Sequence, residues 1–280
     1  MIQLAAGRWA GFGIAGNFAG HLEQAGEVRD FATLKKAGAG PKGMFPFHLS
    51  IDGHFLSVDP LSSSDLALPE GADVQCEPEV ALACALDYGP GNAVTLRPLA
   101  FAAFDDASIR REGAPKISLK KNWGPGSKGL SSRWIPLADG LACGAVLDSW
   151  RIASFLGRDG GWSAYGVDSP VAGYTLYGPD LATWIEEKLS AQIDEGPLED
   201  LPSLLAQAGR PAQAVISIGA TRYTALGEST YLQAGDSFAV AVYDPAVIDA
   251  SRLPELCAGG ESIEGLSLLV RKTYRLAAAS

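Results

Sequence analysis

Residues 237–243 alternate Phe238, Val240 and Val242 with smaller side chains, the period-two pattern of a half-buried strand. Apolar runs at residues 214–218, 266–274, 142–152 and 99–104 predict further strands. Helical signals are few. Asp180 is placed to cap a segment with Leu181, Trp184, Ile185 and Leu189 on one face, which ends before Gly196 and Pro197. A second short helix is predicted over residues 201–208, with Gly209 as its stop, and a third over 18–24, ending near Gly26. Glycine-rich turns at 38–43, 89–92, 124–129 and 157–161 separate the elements. Many short strands, long loops and few helices predict an α+β fold that is mostly β. No repeat or linker divides the chain. The expectation is one domain over residues 1–280, with a core at about 11–245 and a C-terminal tail, 246–280, that closes the sheet or mediates assembly.

Composition narrows the functional classes. The 280 residues are 47% hydrophobic and 19% charged, a globular profile, and carry a net charge of −10. That charge repels a phosphate backbone, and the basic residues cluster only at Lys116, Lys120, Lys121 and Lys128, just after Arg110 and Arg111. Nucleic acid is therefore not an expected partner. No apolar run approaches the roughly 20 residues that span a bilayer, so no membrane association is expected. The first 20 residues are apolar but broken by Arg8 and repeated glycines, without a basic leader, which argues against a signal peptide and for the cytoplasm. The scattered Cys76, Cys84, Cys143 and Cys257 form no C-x-x-C pair and read as small buried apolar residues.

The candidate chemistry starts at Glu77-Pro78-Glu79. On a strand, Glu77 and Glu79 share one face about 7 Å apart at Cα, with Pro78 pointing the other way. Two such carboxylates repel each other unless water or a cation lies between them, and a hard divalent ion suits oxygen-only ligands. A solvated strand face is the bland alternative. Asp106, at the end of an apolar strand-like run, supplies a possible third carboxylate, and Arg110 can balance charge or grip a substrate carboxylate. The lysine- and glycine-rich loop at 120–134 can bring an ammonium to an anionic substrate, and His21 follows the glycine-rich N-terminal stretch.

In this order, the segments resemble the fumarylacetoacetate hydrolase superfamily. Gly13 and Asn17-Phe18-Ala19-Gly20-His21 are similar to its opening glycine and N-[YF]-x-x-H segment, and Glu77-Pro78-Glu79-Val80-Ala81 matches its paired-glutamate strand. Asp105-Asp106-Ala107-Ser108-Ile109-Arg110-Arg111 is similar to the N-D-x-[ST]-x-R-D segment, and Lys128-Gly129-Leu130-Ser131 to the K-[SG]-x-[DS] loop. Ile218-Gly219-Ala220-Thr221-Arg222 and Leu232-Gln233-Ala234-Gly235-Asp236 take the places of the T-G-T-P and L-x-x-G-D turns. The resemblance implies a mixed β-roll or sandwich, a homodimer, and Mg²⁺ or Mn²⁺ on Glu77, Glu79 and Asp106. The implied activity is that of a metal-dependent enzyme acting on a small 1,3-dicarbonyl or 2-oxo acid. C–C bond hydrolysis through a metal-stabilised enolate is the leading reaction. His21 is then the general base, Lys128 the charge-stabilising lysine, ranked ahead of Lys121 and Lys120, and Arg110 and Thr221 bind substrate.

The chain also departs from the pattern. Gln24 stands where many members carry the glutamate that pairs with the histidine to activate water, and Glu23 lies one residue early. A glutamine is no base, so Glu23 is the candidate partner of His21. The same departure admits a second reading, metal-dependent decarboxylation, tautomerisation or hydration of a 2-oxo acid. A third is a catalytically silent ligand-binding protein on this fold. Arg111 replaces an aspartate, Arg222 a proline, and the usual G-P-W after the lysine loop is absent. These changes mark a divergent branch.

Overall fold

The computed structural model describes residues 8–26, 31, 40–111 and 113–276. At its centre is a long antiparallel hairpin, Pro78–Tyr88 with Val94–Asp105. Pro90–Asn92 turns the hairpin, within the predicted glycine turn. Gln213–Ser217 joins one side of it, followed by Trp9–Ala15, paired parallel, and Gly43–His48 at the edge. The short strands Lys128–Leu130, Leu61–Ser62 and Ile135–Pro136 complete the sheet on the other side.

A second sheet runs Gly161–Pro170, Arg151–Arg158, Ser237–Tyr243, Leu266–Arg275 and Asp65–Leu68. The first two of these strands form a tight hairpin through Asp159 and Gly160, both with positive φ, which matches the right-handed twist of the strands it joins. Val80, Leu82, Phe101 and Ile216 of the large sheet share one core with Ile152, Val240, Val242 and Leu269 of the second. The two sheets thus make a mostly β, mixed sandwich with a few short helices. Helix Gly178–Ala191 adds Leu181, Ile185 and Leu189 to that core, and each such buried side chain contributes about 1.5–3 kcal/mol.

The predicted strands at 214–218, 237–243, 266–274 and 99–104 and the three predicted helices all have observed counterparts. Residues 142–150 differ from expectation: Gly144 has φ +80°, and Val146–Ser149 form a 3-10 turn that tucks Leu147 and Trp150 inward, so the strand begins only at Arg151. Helix Gly178–Ala191 starts two residues before Asp180, which lies in its first turn and does not cap it. The segment after residue 245 is no tail outside the core. Ile248, Leu253 and Cys257 are buried, and Leu266–Arg275 lies inside the second sheet between two partners. Strand Gly161–Pro170 was invisible to periodicity because most of it is exposed or half-exposed and polar. Cys143 is exposed, against expectation, whereas Cys76, Cys84 and Cys257 are buried and free. Residues 38 and 39, which open the first predicted glycine turn, lie outside the described residues. Among the described residues no helix is long and apolar enough to cross a membrane.

Candidate metal centre

Strand register builds the site. Pro78 pairs with Asp105, so the residues one step beyond, Glu77 and Asp106, face each other across the end of the hairpin, and the Asp106 amide donates to the Glu77 carbonyl at 2.9 Å. Just past them Val74–Gln75 pairs with Ser108–Ile109, which keeps both chains from fraying. Glu77 precedes the strand instead of lying within it, and Pro78, with no N–H to give, begins it. One ligand atom each from Glu77, Glu79 and Asp106 lies within 4.8 Å of the others, and all three residues are buried.

The Glu79 carboxylate accepts from the Gly219 amide at 2.9 Å. Gly219 has φ +112°, and a Cβ there would lie 2.9 Å from the Cβ of Asn17, so glycine is required for this amide to reach the carboxylate. Asn17 is fully buried and ties the Ile218 and Leu176 backbones together at 2.9–3.0 Å. The asparagine of the opening motif is therefore structural. So is the Leu232–Asp236 turn, whose Asp236 accepts from Arg158 at 2.6 and 2.7 Å.

Buried cations crowd the carboxylates. Lys121 Nζ lies 2.7 Å from Glu77 Oε2 and 2.5 Å from Asp106 Oδ2, and Lys128 Nζ lies 3.0 Å from Asp106 Oδ1. Lys128 also donates to the Ala107 carbonyl. Both lysines thus reach the triad, but Lys121, ranked second in the sequence reading, is the one that lines the cavity beside it. Lys120 is buried as well. Arg110 spreads its guanidinium over Glu77 Oε1 at 2.9 Å, Gln75 at 2.7 Å and the Tyr223 hydroxyl at 2.9 Å, a grip on the segment that enters the hairpin.

Sequence reasoning missed Arg271. It is fully buried and donates to Asp105 Oδ2 at 2.6 Å and to the carbonyls of Asp65 and Gly126. Asp105 Oδ1 in turn accepts from the Glu77 amide at 3.1 Å, so Arg271 fixes the backbone that carries the Glu77 carboxylate. Gly129 makes room, since a Cβ there would lie 2.5 Å from Arg271 Cδ. The signal was available: Arg271 shares strand parity with the core residue Leu269.

His21 is buried at the start of the short helix His21–Gln24. Its Nδ1 lies 2.9 Å from the Thr221 carbonyl, which only accepts, so the neutral ring carries its proton on Nδ1 and presents the Nε2 lone pair. Nε2 is 3.9 Å from Glu77 Oε2. Thr221 is buried and meets the histidine through its backbone. Gln24 clasps Tyr223, accepting from its amide at 2.9 Å and donating to its carbonyl at 3.1 Å. Glu23 is exposed, and the structure does not bring it to the cavity.

Burial pushes Glu79 well above the usual carboxylate range, reinforced by Asp106 and Glu77, and it raises Asp106 against the pull of Lys121 and Lys128. Glu77 goes the other way: burial opposes its charge, but Lys121, Arg110 and His21 together hold it well below that range. Burial lowers Lys128 to about 8, although Asp106 opposes the shift. The cavity beside the triad, lined by His21, Phe45, Glu77, Asp106, Lys121 and Ala220 among others, measures about 10 Å³, space for one water or ion. A larger groove of about 740 Å³, past Arg8, Ser50, Arg210 and Gln213, shares no lining residue with it and has no carboxylate in its lining.

The helix bearing Lys121, Ser118–Lys121, is held from below by Glu199, which accepts from the Ser118 hydroxyl. Burial raises Glu199 to about 7, with Ser118 and Lys116 opposing. A carboxyl raised in the folded state stabilises the fold when protonated, and that contribution is lost as pH rises from the unfolded value through the folded one. Stability should therefore fall by on the order of 3 kcal/mol between about pH 4.5 and 7 from this group. Glu199→Gln, neutral throughout, should flatten that fall in urea midpoints measured at pH 5 and 8. An unchanged slope would refute the assignment.

The donor set fits a divalent cation: three buried carboxylates, oxygen only, two of them destabilised as anions by burial and by each other. Three proteins of known structure share the architecture. They are Cg1458 with inhibitor (15% identity, TM-score 0.58, 96% of this chain and 78% of that one), 5-carboxymethyl-2-hydroxymuconate delta-isomerase from Mycobacterium smegmatis (15%, 0.55, 97% and 80%), and yeast ynq8, a fumarylacetoacetate hydrolase family protein (12%, 0.51, 95% and 93%). No curated protein matches the chain. Residues 27–273 match the family described as a family of unknown function, DUF5718. The chain therefore belongs to that family, and its fold is that of fumarylacetoacetate hydrolase family proteins.

Proposed function

We propose that this protein is a divalent-metal-dependent enzyme acting on a small 2-oxo or 1,3-dicarbonyl acid, with Mg²⁺ or Mn²⁺ held by Glu77, Glu79 and Asp106. The observation that carries the proposal is the convergence of three buried carboxylates within 4.8 Å beside a histidine whose Nε2 lies 3.9 Å from one of them. When bound, the ion supplies positive charge that makes the carbon next to a substrate carbonyl more acidic. His21 Nε2 takes a proton from that carbon and can return it elsewhere, while the Thr221 carbonyl keeps the ring in the required tautomer. Arg110 acts through Glu77, fixing its carboxylate for coordination. Lys128 holds Asp106.

Of the reactions that the resemblance implies, proton movement without water activation is favoured. Gln24 is committed to the Tyr223 backbone and Glu23 is exposed, which weighs against the water-activating pair that many members of the resembled superfamily use. An isomerase among the proteins of similar fold is consistent with this preference over C–C hydrolysis. The test is turnover of oxaloacetate, by tautomerisation or decarboxylation, against cleavage of acylpyruvates, each with Mn²⁺. Oxaloacetate is the expected substrate class, and His21→Ala should lower its turnover by about 10²–10⁴-fold while Mn²⁺ binding persists. Full activity in His21→Ala would remove the base. Efficient acylpyruvate cleavage would restore the hydrolytic reading, and ligand binding without any product would favour the catalytically silent one.

A further inference from the structure

The metal site already contains a cation of its own. Lys121 Nζ sits between Glu77 Oε2 and Asp106 Oδ2, at 2.7 and 2.5 Å, so it touches two of the three carboxylates that the proposed metal would need. The wider charge count makes this contact significant. Glu77, Glu79, Asp105 and Asp106 are all buried, and so are Lys121, Lys128 and Arg271, while the Arg110 guanidinium lies against Glu77. Glu77, Asp105 and Asp106 therefore already pair with Arg110, Lys121, Lys128 and Arg271, and a divalent ion adds two further positive charges beside them. Ammonium and metal cannot hold the same oxygens at once, because like charges so close in a buried site repel strongly.

We infer that Lys121 is an internal counter-ion, which holds Glu77 and Asp106 together without a metal and leaves Asp106 when a divalent ion binds. The inference rests on the metal site proposed above. The backbone beneath Lys121 stays in place. Glu199 accepts from Ser118, and the Asn122 side chain donates through Nδ2 to the carbonyls of Phe47 and Val58 at 2.8 and 3.1 Å. Only the side chain has to turn, and it lies along the cavity wall with His21 and Ala220. The cavity has room for one water or ion, so the displaced ammonium turns out of it and there meets the carboxylate of an oxo acid. Metal binding thereby creates the anion site, and the negative charge of the substrate offsets part of the charge that the metal adds. The two ligands bind with positive cooperativity.

Lys121→Met separates this role from a structural one because it moves the two affinities in opposite directions. In calorimetric titrations of the full chain, the variant should bind Mn²⁺ at least tenfold more tightly than wild type. With Mn²⁺ saturating, it should bind pyruvate at least tenfold more weakly. A merely structural lysine would weaken both ligands or neither. Equal or weaker Mn²⁺ binding in the variant overturns the inference, while a wild-type chain that binds no Mn²⁺ overturns the metal site itself. Should the variant not fold, a crystal structure of the wild-type chain with Mn²⁺ on the triad decides the matter. Lys121 Nζ is expected beyond hydrogen-bonding reach of Asp106 Oδ2, and an intact contact beside the bound ion overturns the inference.

Discussion

Arg271→Met should destabilise the protein by about 3–5 kcal/mol, because it leaves Asp105 charged and buried without its partner. Methionine fills much of the same volume, so packing loss is small and the cost is electrostatic. Cys76 and the Glu77 amide also bond to Asp105, but neither brings a charge. Adding Asp105→Asn should recover most of the loss, since an amide needs no counter-ion and can still accept from the Glu77 amide. Recovery should stop short of wild type because the Asp65 and Gly126 carbonyls lose their donor in either background. Urea unfolding of the two single variants and the double variant measures the coupling directly. A loss below about 1 kcal/mol in Arg271→Met, or no recovery in the double variant, would show that the pair does not bear on the fold.

Glu79→Gln should weaken Mn²⁺ binding by at least 100-fold, on the order of 3 kcal/mol or more, without harming the metal-free protein. The stability of the metal-free chain should be unchanged or higher by about 1 kcal/mol. The asymmetry follows from the surroundings. Burial, Asp106 and Glu77 all work against the Glu79 charge, and the Gly219 amide that it accepts from is met equally well by an amide oxygen. Glu77 would be the wrong residue for this separation, because neutralising it removes the carboxylate that Lys121 and Arg110 share. Titration of Mn²⁺ into each protein, with melting curves recorded without metal, gives both quantities. Metal binding that survives the substitution would remove Glu79 from the ligand set. A steep loss of stability would mean that its charge is needed for folding.

The carboxylates were legible because they lie on neighbouring positions of one hairpin, where strand period and register decide who meets whom. Glu77 and Glu79 are two residues apart, and Asp106 follows the partner strand, so a local reading places all three. The strands at 237–243 and 266–275 were legible from their apolar content and, at 237–243, from the alternation of large and small side chains, although both faces of that strand, not one, are buried. What failed depended on loop conformation or on distance along the chain. Lys121 enters the cavity because a four-residue helical turn aims it there, and no spacing in the lysine-rich loop distinguishes it from Lys128. Glu23 seemed available to His21, yet one helical step turns it to solvent while His21 stays buried. Residues 142–150 are apolar enough for a strand, but Gly144 and a 3-10 turn spend those side chains on a corner.

Asp105 and Arg271 meet across 166 positions of sequence, and Trp9–Ala15 waits for Gln213–Ser217 to pair with it. During synthesis, then, the hairpin that carries all three carboxylates is made long before the strand that neutralises its end. An N-terminal fragment that stops short of Leu266 has the three carboxylates and Arg110 in its sequence but lacks Arg271, the partner of Asp105. The anchoring of the carboxylate cluster is completed only by the strand Leu266–Arg275.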